Sequence, residues 1–249
     1  MQGKWSKSLA FVFLAWACGP GPAAAAEGDK WTAARANMVR TIERHGRYVG
    51  SALQGRSLDE RVLKVVGAVP RHLFVPRGLR HRAYADRPLP IGFGQTISQP
   101  FIVALMTHLA AVGRGDVILE VGTGSGYQAA VLAPLVRQVC TIEIIPGLAK
   151  NAARLFKRLA LSNVKAKLGD GYYGWEACGP FDAILVTAAA THVPPPLVRQ
   201  LKAGGRMIIP VGAPFATQQL VVVSKDENGR ARTRQMLPVV FVPLTGGHK

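Results

Sequence analysis

Apolar and polar positions along this chain switch between a helical and a strand period. Over residues 31–48 the apolar Trp31, Met38, Ile42 and the following Val49 recur near helical spacing with arginines between them, which predicts an amphipathic helix. Ser57-Leu-Asp-Glu60 has the form of a capping box, and Val62, Leu63, Val65 and Val66 continue a helix that Pro70 stops. Residues 88–100 carry no period, only Gly, Pro and polar residues, and predict a long irregular loop of the kind that carries function. Residues 101–109 resume as a helix with Pro100 in its first turn. Short, mostly apolar runs at 117–121, 138–143, 163–168 and 181–187 have the look of buried parallel strands. Residues 127–136 and 146–161 between them read as helices. Further on, 197–201 predicts a short helix ended by Gly204-Gly205, 206–211 and 218–224 predict strands, Asp226-Glu-Asn-Gly229 a hairpin turn, and 237–242 the closing strand. Strand and helix alternating in this way make an α/β chain on a mostly parallel sheet.

One junction in that pattern is chemically distinctive. The run 117–121 is broken only by Glu120, and Gly122, Gly124 and Gly126 follow at once before the next helix. Strand, glycine turn and helix form a nucleotide-binding corner: glycines let the backbone turn sharply and approach a ligand, and free amides at the helix start face it. A dinucleotide fingerprint needs Gly or Ala at position 127, where Tyr127 would crowd a pyrophosphate, so a nicotinamide oxidoreductase is disfavoured. Glu120-Val-Gly122-Thr123-Gly124-Ser125-Gly126 instead resembles the first motif of S-adenosylmethionine methyltransferases, whose ligand has no phosphate. Glu120 is placed to hold that ligand's ammonium, directly or through water. Glu143 ends a second strand about 20 residues past the glycines, where a ribose-binding carboxylate belongs; a helix-start charge ahead of Pro146 is its other reading.

Charge alters the picture of partners more than of fold. The formal net charge is +17, yet lysines and arginines are scattered, and Lys150, Arg154, Lys157 and Arg158 fall at helical spacing, as on a solvated helix face. No basic run carries interleaved aromatics, which argues against a nucleic-acid surface, although the charge keeps an RNA-modifying methyltransferase open as a second reading. The three cysteines, Cys18, Cys140 and Cys178, fit neither a zinc site nor a disulfide framework, and no pairing of Cys140 with Cys178 is expected. His45, His72, His81, His108, His192 and His248 show no ligand spacing and are expected as surface or capping residues; no metal is expected. In residues 1–26, Lys4 and Lys7 precede a short apolar run and then small residues, which resembles a secretory signal peptide cleaved near Ala25 or Ala26; the run is too short for a membrane span. Residues 27–110, with helices and an active-site loop, and 111–249, with the cofactor-binding core, are expected to form one compact domain.

Five stretches together carry a family resemblance. Val69-Pro-Arg-His-Leu-Phe-Val-Pro76, Gly94-Gln-Thr-Ile-Ser-Gln-Pro100, Glu120-Val-Gly-Thr-Gly-Ser-Gly-Tyr127, Gly169-Asp-Gly-Tyr172 and Phe241-Val-Pro-Leu244 resemble, in order, the protein-L-isoaspartate O-methyltransferase family. The likeness runs over about residues 58–244, and the first 30 residues do not share it. It implies a Rossmann-like S-adenosylmethionine-dependent methyltransferase fold, with a mostly parallel seven-stranded sheet, an antiparallel C-terminal strand and N-terminal helical additions. The implied acceptor is the free α-carboxyl of an L-isoaspartyl residue in a damaged protein or peptide. Ser98 is the implied catalytic hydroxyl; read without the family it would be a helix cap. The implied cofactor-binding residues are Thr96, Ile97, Glu120, Gly122, Thr123, Gly124, Ser125, Gly126, Glu143, Asp170, Gly171 and Thr245. Asp170 and Gly171 are assigned to the adenine end, and otherwise read as a plain turn. Residues 181–187 carry neither an Asn/Asp-Pro-Pro-Tyr motif nor a Pro-Cys nucleophile, which weakens a nucleobase-methylating reading. The family's habit is cytoplasmic, against the leader; the tail 246–249 is expected to fray, and nothing in the sequence fixes an oligomeric state.

Overall fold

A computed structural model of the chain describes residues 22–247 apart from 51, 52 and 54, with side chains from Lys30 onward, so most of the leader-like stretch 1–26 lies outside the described residues. Internal contacts divide the chain after Ala33, and the site lies wholly in the unit that begins at Ala34. Helix α1 spans Pro22–Tyr48 and buries Met38 and Ile42. Helix α2, Glu60–Ala68, buries Val62 and Val66. Its cap is Asp59, whose carboxylate accepts from the Arg61 amide at 2.8 Å, and not the expected Ser57. A cap must be the last extended residue before the helix, and Asp59 holds that position.

Residues 88–100, expected as an irregular loop, contain a hairpin. Strands β1 (Leu89–Gly92) and β2 (Gln95–Ile97) pair antiparallel across Phe93-Gly94. Those two residues have φ of 54° and 70°, the primed-turn geometry that matches strand twist in two-residue hairpins. The prolines and glycines hid the alternation. Helix α3, Pro100–Ala110, follows and is buried along most of its length.

The main sheet then assembles from β3 (Val117–Val121), β4 (Gln138–Glu143), β5 (Val164–Leu168), β6 (Phe181–Val186), β7 (Leu201–Val211), β8 (Gln218–Lys225) and β9 (Ala231–Val239). Helices α4 (Tyr127–Leu132), α5 (Pro146–Arg158) and α6 (Pro195–Gln200) connect the parallel strands. Strand order is β5-β4-β3-β6-β7-β8-β9, parallel from β5 to β7, with β8 antiparallel to both of its neighbours. This is the Rossmann-like methyltransferase sheet that the resemblance implied, with the antiparallel strand in the penultimate place. After β3 the chain moves outward through β4 and β5, then returns to the other side of β3 as β6. The order reverses there, and a crevice opens at the strands' carboxyl ends.

Several boundaries differ from expectation. Helix α4 stops at Leu132 and tightens into a 3-10 turn at Ala133–Leu135, which holds Pro134. Gly204 and Gly205 do not end a helix; they lie in a bulge of β7, where the register against β6 jumps from Phe181↔Leu201 to Ala183↔Arg206. The last strand starts at Ala231, earlier than the apolar run, because its first half is exposed and polar. Cys140 of β4 and Cys178 do form a disulfide, with Cα atoms 6.6 Å apart, against the expectation of no pairing. The crossover from β5 to β6 must pass β4, and this brings together cysteines that are 38 residues apart in sequence.

Candidate active site

The crevice at the sheet's carboxyl edge is lined by the residues after β3, after β4, after β6 and by Gly171 after β5. Gly122 turns at once out of β3 with φ of 93°. An added Cβ there would lie 2.6 Å from the Thr187 hydroxyl, which donates to the carbonyls of Gly122 (2.6 Å) and Val121 (3.0 Å). Only glycine therefore fits this bend, in conformation and in space. Gly126, φ 87°, sits behind it against Phe156 of α5, where a Cβ would come within 2.5 Å of the ring. It closes the packing of α4 on α5 and does not line the crevice.

Two carboxylates give the crevice its electrostatics. Glu143 is buried at the end of β4; Oε2 accepts from the Gly124 amide at 2.7 Å and Oε1 from the Ile145 amide at 2.9 Å. A carboxylate has about four lone-pair sites, so both oxygens keep capacity for further donors. Glu120 is fully buried; Oε2 accepts from the Thr141 hydroxyl at 2.5 Å, and Thr141 is 2.6 Å from the Thr123 hydroxyl. Its other oxygen, Oε1, is buried without a hydrogen bond of full geometry among the described residues, although the Ala129 backbone amide lies near enough to favour the charged form. Burial, with Glu143 nearby adding to it, pushes the Glu120 carboxyl up to about 8, although the Thr141 hydrogen bond pulls the other way. Such an under-satisfied acidic oxygen in a crevice wall suits a cationic donor.

The β1–β2 hairpin covers this corner. Ile91 approaches Gly124, the Phe93 ring lies against Gly147 at the start of α5, and Gln95, Thr96, Ile97 and Ser98 line the crevice. Ser98 is half-buried, and its hydroxyl makes no hydrogen bond among the described residues. Its carbonyl accepts from Arg71 at 2.7 Å. Arg71 is fully buried, also donates to the Ala83 carbonyl at 2.8 Å, and stacks its guanidinium 4.6 Å from the Tyr127 ring centre. The segment that carries Ser98 is thereby tied to the first residue of α4. Beyond Ser98 opens a second, larger cavity of about 510 Å³, walled mainly by α1, α3 and residues 237–242. Thr96, Ser98, Thr187 and Val242 line both spaces. Val242 reaches that place because the chain after β9 runs back beside the segment after β6, where the Ala189 amide donates to its carbonyl at 2.8 Å.

Of the residues expected here, Ser98, Thr96, Ile97, Glu120, Gly122, Thr123, Gly124, Ser125, Glu143, Gly171 and Thr245 share the crevice. Gly126 and Asp170 do not line it. Asp170 accepts from backbone, Oδ1 from the Tyr172 amide at 2.9 Å and Oδ2 from the Gly247 amide at 3.1 Å, so the tail expected to fray is held at Gly247, while 248 and 249 lie outside the described residues. Thr187 and Arg71 escaped the sequence reading. A hydroxyl just past a strand end is a signal only once β6 is known to lie beside β3, and the sole charge in Val69-Pro-Arg-His-Leu-Phe-Val-Pro76 that is always ionised was the available hint for Arg71. Among the described residues no group of three or more His, Cys, Asp or Glu is arranged to hold a metal ion.

Comparison with known proteins agrees with this geometry. The family model for Protein-L-isoaspartate(D-aspartate) O-methyltransferase (PCMT) matches residues 51–249. Protein-L-isoaspartate O-methyltransferase 2 of Syntrophobacter fumaroxidans is 59% identical over 237 residues, 95% of this chain and 96% of that protein. Protein-L-isoaspartate O-methyltransferase 1 of Cupriavidus necator is 58% identical over 223 residues, 90% of this chain and 86% of that protein. Among solved structures, a protein-L-isoaspartate O-methyltransferase superposes with a TM-score of 0.73 at 27% identity, over 85% of this chain and 66% of that one. A Plasmodium falciparum structure assigned to the same family, in complex with S-adenosyl-L-homocysteine, gives 0.68 at 26% identity, over 84% and 97%.

Proposed function

Because the chain belongs to the protein-L-isoaspartate(D-aspartate) O-methyltransferase family, we propose that it methylates the free α-carboxylate of L-isoaspartyl residues in damaged proteins, with S-adenosylmethionine as donor. The crevice suits that cofactor on its own evidence of shape and charge: the under-satisfied Glu120 Oε1 and the Gly122 bend, which any side chain would fill. When bound, the cofactor supplies a methyl group activated on a sulfonium. Glu120 would accept from its ammonium, Glu143 from its ribose hydroxyls, and the Gly122–Ser125 backbone would lie along it. Thr96, Ile97 and Thr245 close the crevice around it.

The observation that carries the reading is the shared wall. Thr96, Ser98 and Thr187 line both a crevice with two acids and a second cavity of about 510 Å³. A carboxylate acceptor is already ionised near neutral pH, so no general base is needed. What the protein must do is align the acceptor oxygen and exclude water. A neutral hydroxyl suits this better than a lysine, which would bind the carboxylate most tightly before reaction, when its charge is greatest. Ser98, fixed through its carbonyl by Arg71, donates to the acceptor carboxylate. The methyl ester so formed carries a better leaving group than the acid: the neighbouring backbone amide nitrogen attacks the ester carbonyl, methanol leaves, and water reopens the resulting succinimide in part as normal aspartate. Chromatography of an isoaspartyl peptide incubated with enzyme and donor should show succinimide and aspartyl peptide accumulating; unchanged peptide would overturn the proposal.

No helix among the described residues is long and apolar enough to cross a membrane. Residues 1–26 read as an export leader, and a disulfide such as Cys140–Cys178 persists best in an oxidising compartment, so both features point out of the cytosol. Sequencing the mature N-terminus from fractionated cells decides this: a start near Glu27 outside the cytosol agrees, and an intact Met1 inside it does not.

A further inference from the structure

Among the described residues that line the second cavity, one is a histidine. His45 stands near the end of α1, ahead of the residues 51–249 that the family model matches. Its Nδ1 lies 2.6 Å from Oδ2 of Asp86, whose side chain is only 5% exposed. Asp86 is itself held by the Phe101 amide at 2.8 Å and the Gln99 side chain at 3.0 Å. The Phe101 ring meets the imidazole edge-on, with centres 5.5 Å apart. A carboxylate at Nδ1 keeps a proton there and sets the ring's orientation. The other nitrogen, Nε2, then accepts a hydrogen bond while the ring is neutral and donates one when it is charged.

The imidazole is 41% exposed and lines the cavity together with the exposed Tyr48 and with Ser98, which also lines the crevice. Asp86 is the ionisable group in contact with it; Tyr48 and the exposed Arg44 and Arg47 lie on its own helix, and the α3 and 237–242 residues lining the cavity bring no ionisable group. Among the described lining residues His45 is thus the one able to carry a positive charge.

We propose that His45, held by Asp86, is a specificity-determining residue that binds an acidic side chain flanking the isoaspartate of the acceptor peptide. The inference rests on the reading of this cavity as the acceptor site. Its test uses isoaspartyl peptides that differ only in a glutamate or a lysine walked through two positions on either side of the isoaspartate. KM and kcat are measured for the wild type, His45→Gln and His45→Glu. At the position that meets His45, the wild type should favour glutamate about two- to fivefold in KM, the scale of a part-exposed charge pair. The preference should vanish in His45→Gln and turn towards lysine in His45→Glu. An equal preference in His45→Gln would overturn the inference. So would a loss confined to kcat, which would make His45 a support for the Ser98 segment. Failure of methyl transfer to every peptide removes the methyltransferase reading and this one with it, whereas transfer with unaltered ratios removes this one alone.

Discussion

The two spaces that meet at Ser98 are built in opposite ways. The crevice is made of strand ends, backbone amides and two buried acids; the second cavity is made of side chains from α1, α3, the end of β9 and the residues after it, with one histidine among them. A donor that carries ammonium and sulfonium charge meets the acidic side, and an acceptor that carries a carboxylate meets the side without acids. The protein's charge of +17 does not enter the crevice at all, which shows that local placement of Glu120 and Glu143 sets the donor site, whatever the global field. The difference also separates rigidity from choice. The crevice is fixed by parallel strands and one bend that tolerates no side chain, whereas the cavity's walls come from two helices, the edge strand of the sheet and the chain that follows it.

That contrast can be broken from either side. The largest effect is expected for Gly122→Val. Its Cβ would fall 2.6 Å from the Thr187 hydroxyl in a left-handed conformation, so cofactor binding followed by calorimetry should be lost. Unchanged binding would mean that the bend does not hold the donor. Next comes Ser98→Ala, which touches the shared wall: kcat should drop about 10²-fold, the scale of one lost transition-state donor. Cofactor affinity should stay within a factor of about two, because Ser98 is aimed at the acceptor. Equal loss in both would place Ser98 in the donor site.

A smaller effect is expected from Cys178→Ser. The disulfide ties the segment between Gly171 and β6 to β4, with Cys178 beside Gln138 at that strand's amino end. Closing a loop of this size is worth about 2–4 kcal/mol, so the melting temperature should fall by roughly 5–10 °C. An unaltered melting temperature would contradict the tether. The smallest is a pH dependence. In the free protein burial holds the Glu120 carboxyl up to about 8, so below that pH it is protonated and must release its proton to meet an ammonium. Cofactor affinity should therefore rise with pH, at most about tenfold per unit, and level off near 8, with proton release visible in buffers of different ionisation enthalpy. The sign for the unliganded fold is opposite: the unfolded chain ionises in the ordinary carboxylate range while the folded one does not, so stability falls as pH rises from there to about 8. Glu120→Gln should remove both slopes.

The same contrast explains what the sequence disclosed. The crevice is local in the chain: Glu120 to Gly126 is one turn, and Glu143 follows where a parallel neighbour strand must end. Periodicity and glycine chemistry reach that far. Gly126 also packs α4 against Phe156, and in sequence a glycine required for such packing looks like one required for a ligand. Asp170 stands at the expected strand end, where its carboxylate also accepts from the Tyr172 and Gly247 amides. The second cavity was out of reach for a different reason. His45, Ser98, Thr217 and Phe241 come from four distant segments, and only tertiary packing makes them neighbours. Cys140 and Cys178 belong to the same class: their pairing depends on a crossover path that no local pattern encodes.

Labelled methyl transfer tests the central claim most directly. The enzyme is given methyl-labelled S-adenosylmethionine with one of three acceptors: a peptide containing L-isoaspartate, the same peptide with normal aspartate, and bulk RNA. Label should enter the isoaspartyl peptide as a base-labile ester and enter neither of the others. Label in RNA or in the aspartyl peptide, with none in the isoaspartyl one, would show that the wall at Ser98 serves a different acceptor.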